Sequence, residues 1–121
     1  MYENKIFVFG SNLAGRHGKG AALHAIKHHG AIYGVGEGIQ GNSYGIPTKD
    51  EKIRTRPLDK IKISVDRFIE FANDNPHLTF QITEIGCKLA GYTPEQIAPM
   101  FFNVPGNCLL PESFMQVLTS M

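Results

Sequence analysis

Ile6-Phe-Val-Phe-Gly-Ser-Asn-Leu-Ala-Gly-Arg-His-Gly-Lys-Gly-Ala-Ala-Leu-His-Ala-Ile-Lys27 places a strand, a glycine loop and a helix start in that order. Ile6 to Phe9 is a short apolar run of β-branched and aromatic residues, the pattern of a buried strand. From Gly10 to Gly20, four glycines fall within eleven residues. Ala21, Ala22, Ala25 and Ile26 then recur at helical spacing. Glycines let backbone N–H groups approach an anion, and a helix N-terminus adds a partial positive charge. The order therefore predicts a phosphate cradle. An ordinary tight βα turn would explain a glycine or two, but not this density.

Outward from that stretch, bulk properties narrow the class. At 121 residues and 42% hydrophobic content, the chain has the size and core material of a single domain, 1–121. A net charge of +1 leaves no broad basic face, so nucleic acid enters only as a modified substrate. Cys87 and Cys108 are far apart and lack metal-ligand spacing, so they read as reduced thiols of a cytoplasmic protein. The opening residues lack a signal peptide's apolar region. No apolar run reaches the ~20 residues of a membrane span. The motifs call for no cofactor and no resident metal, and they set no oligomeric state. Ten of the thirteen glycines lie between Gly10 and Gly45, which puts the site in the N-terminal part of the chain.

Along the chain, the pattern predicts a strand at 5–9 and a helix at 20–29, with Gly30 as its C-cap. Gly36, Gly38 and Gly41 spell G-x-G-x-x-G, but Asn42 to Pro47 reads as a strand, whereas a dinucleotide fingerprint must open a helix. Walker A fails too, because Gly18-Lys19 is followed by Gly20. Strand 43–47 stops at Pro47. Leu58, Ile61, Val65, Phe68, Ile69 and Ala72 mark one face of a helix over 58–74. A strand at 78–85 feeds a second glycine loop, Gly86-Cys-Lys-Leu-Ala-Gly91. Thr93-Pro-Glu-Gln96 is a capping box, and Pro99 should kink that helix or mark a short first turn. A strand at 107–110 and a helix at 111–118 close the chain. Strands alternating with helices imply an α/β fold with a mostly parallel sheet. Ligands of such sheets sit at the carboxyl ends of strands, where both glycine loops lie.

At these two loops the chain resembles the macrodomain family, whose members bind ADP-ribose. Gly10-Ser-Asn-Leu-Ala-Gly-Arg-His-Gly-Lys-Gly-Ala-Ala22 is similar to the macrodomain segment in which a strand delivers an Asn and a glycine loop opens a helix. Ile85-Gly-Cys-Lys-Leu-Ala-Gly91 is similar to the second phosphate loop, most like the branch that removes ADP-ribose from protein carboxylates and DNA. The resemblance spans residues 5–118 and implies a three-layer αβα fold with a mixed, mostly parallel sheet. It implies Asn12 at the distal ribose. It places Gly10, Ser11, Gly18, Lys19, Gly20 and Ala21 along one side of the ligand, and Gly86, Cys87, Lys88 and Gly91 along the other. Macrodomains usually begin with a further strand and an acidic turn on adenine, and neither has a counterpart here. The hydrolase branch uses a helix lysine, for which Lys27 is placed. It also uses an acidic residue in the second loop, where Ala90 and Gly91 supply none.

The remaining candidates come from residue type. His17, inside the first loop, could act as acid or base or touch phosphate. With Asn12 and Lys27 it makes the set of catalytic candidates. His24 and His28 have the i, i+4 spacing that can chelate zinc, without a third ligand in sight. Asp50, Glu51 and Glu37 are acidic candidates, Glu37 only if its glycine-rich segment folds over the cleft. Tyr44 or Tyr92 could stack on a base. The expected function is binding of ADP-ribose or a related NAD-derived nucleotide between two glycine loops. Hydrolysis of an ADP-ribose derivative, or its removal from a macromolecule, is set against a binder that only reads or sequesters the ligand.

Overall fold

The computed structural model describes residues 5–121. It is an α/β fold built on a five-stranded sheet of order β2-β3-β1-β4-β5. The strands are β1 (Lys5–Asn12), β2 (Gly38–Gln40), β3 (Ser43–Lys49), β4 (Thr79–Ile82) and β5 (Cys108–Leu109). The helices are α1 (Gly20–His28), α2 (Leu58–Asp74), α3 (Pro94–Ile97) and α4 (Glu112–Thr119). β1 pairs in parallel with β3 and β4, and β4 in parallel with β5. Only β2 runs antiparallel, against β3. The sheet is therefore mixed and mostly parallel.

β1 is central, and its alternate residues serve two cores. Ile6 and Val8 join Tyr44 and Ile46 of β3, Phe80 and Ile82 of β4, and Ile61, Val65 and Phe68 of α2. Phe101 and Phe114, from the C-terminal helical segment, close that cluster. Phe68 is its hub, with ring centroids 5.1 Å from Tyr44 and 5.3 Å from Phe80. Phe7 and Phe9 point the other way and pack on Ala22 and Ala25 of α1. The small alanines let that helix lie close to two large rings.

Several elements fall where the periodicity puts them. α2 occupies 58–74, with Ile61, Val65, Phe68, Ile69 and Ala72 buried. The capping box at Thr93 forms, but α3 lasts only to Ile97 before a 3-10 turn over Ala98–Phe101. Pro99 lacks the N–H that a continuing helix would use. β1 runs three residues further than its apolar core, because Gly10, Ser11 and Asn12 go on pairing with Ile46, Pro47 and Lys49. β4 is shorter than 78–85. Its pairing ends at Ile82, where the Thr83 amide and hydroxyl both donate to the Val8 carbonyl, at 3.1 and 2.8 Å. β2 has no apolar alternation and is visible only as pairing. Gly41, at φ 58°, makes the tight turn into β3 against the Gly30 carbonyl, where a side chain would collide. Among the described residues no helix is long and apolar enough to cross a membrane.

A histidine cluster sits at the far end of α1 from the carboxyl edge of the sheet. His29 stacks on Phe7 with centroids 4.3 Å apart, and His24 and His28 lie beside it. Burial first, then the two neighbouring imidazoles, holds His29 below its ordinary value of 6.5. A group depressed in the fold contributes stability above its unfolded value and loses it as pH falls through the folded one. Thermal midpoints measured across this range should therefore fall on the acid side of 6.5. His29→Gln should flatten that decline, and an unchanged slope would refute the linkage.

Candidate functional site

The carboxyl ends of β1, β3 and β4 open into a cleft of about 760 Å³. Because β1 and β4 are neighbours, the loops that leave them become facing walls. Gly10, Ser11 and Asn12 of β1 lie along its base together with Thr48 of β3. Gly18, Lys19, Gly20 and Ala21 line the first wall, and Gly86 and Lys88 the second. The structure thus gathers nine of the residues singled out from sequence around one cavity.

Two runs of backbone donors belong to residues that line this space. The first-turn amides of α1, from Gly20 to Ala22, have no intrahelical carbonyl to bond. No side chain caps that end, and its first turn carries no acidic residue. Across the cleft, no acceptor among the described residues takes the amides of Gly86, Lys88, Leu89 or Ala90. Arg16, Lys19, Lys49 and Lys88 add cations, against one lining carboxylate, Glu84. Leu89 approaches from the second loop, its Cδ1 3.5 Å from where a Gly20 Cβ would stand.

Other sequence candidates do different work. Asn12 lines the cleft, but both ends of its side-chain amide are engaged. Nδ2 donates to the Arg16 carbonyl, and Oδ1 accepts from the Arg16 amide, each at 2.9 Å. These two bonds brace the first loop. His17 is 1% exposed and does not line the cleft. Its Nε2 donates to the Val35 carbonyl at 2.9 Å, and its ring meets Phe9 edge-on. It is a buried pin, not a loop acid or base. Lys27 is exposed in the last turn of α1, roughly 10 Å along the helix axis from Gly20. Cys87 turns its thiol to the Ile85 carbonyl at 3.5 Å. Burial pushes that thiol up to about 11, so it stays protonated and poorly nucleophilic near neutrality. Gly91 lies at the exit of the second loop, its amide bonded to the Lys88 carbonyl, and does not line the cleft.

Glu37 turns away to pair with Arg67 of α2 at 3.2 Å. Asp50 closes its own turn by accepting the Lys52 and Arg54 amides. The Arg54 amide is the main reason its carboxyl stays below the usual range. Glu51 is exposed and also outside the cleft. Tyr44 is buried in the core, which pushes its hydroxyl up to about 12. Tyr92 donates its hydroxyl to the Arg56 carbonyl at 2.7 Å. Neither ring lines the cleft. Among the described residues no group of three or more side chains, the α1 histidines included, is placed to hold a metal ion.

Among the lining residues that sequence alone overlooks are Glu84, Tyr33, Leu89 and Ile53. Glu84 accepts from the Ser113 hydroxyl and pairs with Lys88 at 3.2 Å. The hydroxyl first, then the ammonium, holds it below the usual carboxylate range. Tyr33 is 65% exposed at the mouth, and Leu89 is 60% exposed. Ile53 lines the opposite side with a φ of 63°, a left-handed conformation costing a β-branched residue ~1–2 kcal/mol. An aromatic between glycines, Gly30 and Gly34, was the one sequence signal for Tyr33. Compared with protein-family models, with curated proteins and with solved structures, the chain gives no match.

Asn12→Ala removes two hydrogen bonds from a part-buried loop, so it should lower stability by ~1–3 kcal/mol in denaturant melts. Lys27→Ala should leave those melts within ~0.5 kcal/mol of the parent, as expected of an exposed side chain. The reverse ranking would overturn the roles given to the two residues.

Proposed function

We propose that this chain binds ADP-ribose or a closely related nucleotide diphosphate, with a macrodomain-like arrangement of layers around its sheet. The observation that carries this is the pair of amide runs lining the cleft, Gly20–Ala22 on one side and Gly86 with Lys88–Ala90 on the other, flanked by four cations at the carboxyl ends of parallel strands. Amides donate to a diphosphate without burying an ammonium, and the α1 dipole favours the same charge. The exposed lysines and Arg16 then neutralise the ligand from the rim. Helices on both faces of the sheet and the two loop motifs agree with a three-layer macrodomain architecture.

The ligand is free nucleotide or the same group carried on a macromolecule. Holding it without turnover is the better-supported activity. The residues expected to catalyse are a loop brace (Asn12), a buried pin (His17) and an exposed lysine outside the cleft (Lys27). Glu84 is the one observation that favours hydrolysis. It is an ionised carboxylate in the cleft, held by Ser113 and Lys88, and could orient a ribose hydroxyl or an attacking water.

Calorimetric titration with ADP-ribose, followed by chromatography of the mixture, tests both activities. We expect saturable heat, intact ligand, and affinity that weakens with added salt. Gly18→Glu is the matched variant. A side chain there enters open space and needs no unusual backbone, while its charge opposes the diphosphate. It should fold normally and weaken binding at least about tenfold. Equal affinity in Gly18→Glu, or no heat from the parent, would defeat the proposal. Ligand breakdown that Glu84→Gln abolishes would make the chain a hydrolase.

A further inference from the structure

Apolar groups stand on two different sides of the cradle. Tyr33 belongs to the first-loop side. The Gly34 amide donates to the Gly15 carbonyl at 2.8 Å, and the Tyr33 ring lies 6.4 Å from the His17 ring, edge to face. Its segment is pinned along its length. Ile32 donates its amide to Gln40 Oε1 at 2.8 Å, Val35 accepts from His17 and Gln40, and Gly36 accepts from the Ser11 hydroxyl. Tyr33 itself is left projecting, and its hydroxyl engages no partner among the described residues. A large ring held exposed on a rigid strap over a cavity is a stacking platform. Such a ring exposes apolar area that folding alone would bury.

Ile53 belongs to the other side. Its turn is closed by Asp50 and tied to the second loop, where the Thr55 hydroxyl donates to the Ala90 carbonyl at 3.0 Å. The left-handed backbone at Ile53 is strain of the kind retained at ligand clamps. Leu89 also lines the cleft, reaching from the second loop toward Gly20. A ligand matched to this cleft therefore has an anionic middle and apolar, flat ends. Free ADP-ribose has one flat end and one bare sugar.

We infer that the ligand carries a ring at both ends of its diphosphate, one stacked on Tyr33 and one laid against Ile53, as in a dinucleotide or an ADP-ribose still joined to a planar group. This rests on the diphosphate reading of the cleft. A cleft of about 760 Å³ lies in the upper part of the ~300–1,000 Å³ range of ligand pockets, as a two-ended ligand requires. If the second ring is a cation, as nicotinamide is in NAD, the Tyr33 face adds a cation–π attraction.

The test compares NAD with ADP-ribose, which share every group except the second ring. The parent protein should bind NAD about five- to 150-fold more tightly, the range that one stacked ring supplies. Of the variants Tyr33→Ala and Ile53→Asn, one should erase that gap and the other should weaken both ligands alike. Tyr33→Phe should behave as the parent. Asn tolerates the left-handed backbone, so Ile53→Asn keeps the turn. ADP-ribose bound as tightly as NAD would overturn the two-ring inference and leave the diphosphate cradle standing. So would variants that change neither affinity. Failure of the parent to bind either ligand would remove the cradle itself, and this inference with it.

Discussion

Everything at the cleft depends on the central place of Lys5–Asn12, hydrogen-bonded on one edge to Ser43–Lys49 and on the other to Thr79–Ile82. Parallel pairing on both edges points three carboxyl ends the same way. A strand in that position must be apolar on both faces, and Ile6 to Phe9 is. Its last three residues then have no core to fill. Gly10, Ser11 and Asn12 are small or polar, and they continue the ladder while forming the base of a cavity. The same pairing makes the loops after β1 and β4 neighbours, so two backbone segments far apart in sequence line one cleft.

Rigidity around the cleft comes from polar side chains turned inward. Ser11, Asn12, His17 and Gln40 are all buried, and each bonds a backbone group of the loops around the cleft. Buried polar groups are costly unless satisfied, and apart from His17 Nδ1, which has no partner, these groups are, so the loops have few other arrangements. Gly36 lies so close to the Asn12 carbonyl that a side chain there would collide. Walls built this way are shaped before anything enters the cleft, and a preorganised site loses little ordering entropy on binding. Charge is arranged in the opposite manner. Lys19 and Lys88 are exposed, and long exposed side chains supply attraction without fixed geometry.

The elements legible in the sequence are those whose signal is local. α2 shows through its 3.6-residue apolar spacing, the start of α3 through its capping box, and the β1 core through four consecutive apolar residues. β2 was not legible, because Gly-Ile-Gln has no alternation and exists as a strand only by pairing with β3. The carboxyl half of β1 was hidden for the same reason. In the site, backbone donors were legible because glycine density reports where the chain needs close approach. Side-chain roles were not, since His17 as pin or catalyst differs only in which way its ring turns.

What the sequence determined by itself, then, is the strand–loop–helix unit at Ile6–Lys27, the second glycine loop, and the α/β alternation that puts both at one edge of the sheet. These follow from residue type and spacing over a few turns of chain. The tertiary structure alone decided that the two loops face each other, that Asn12 and His17 support the walls, and that Glu84, Tyr33 and Ile53 reach the cleft. Each of those outcomes depends on strand order and on contacts between residues distant in sequence, and no local pattern encodes them.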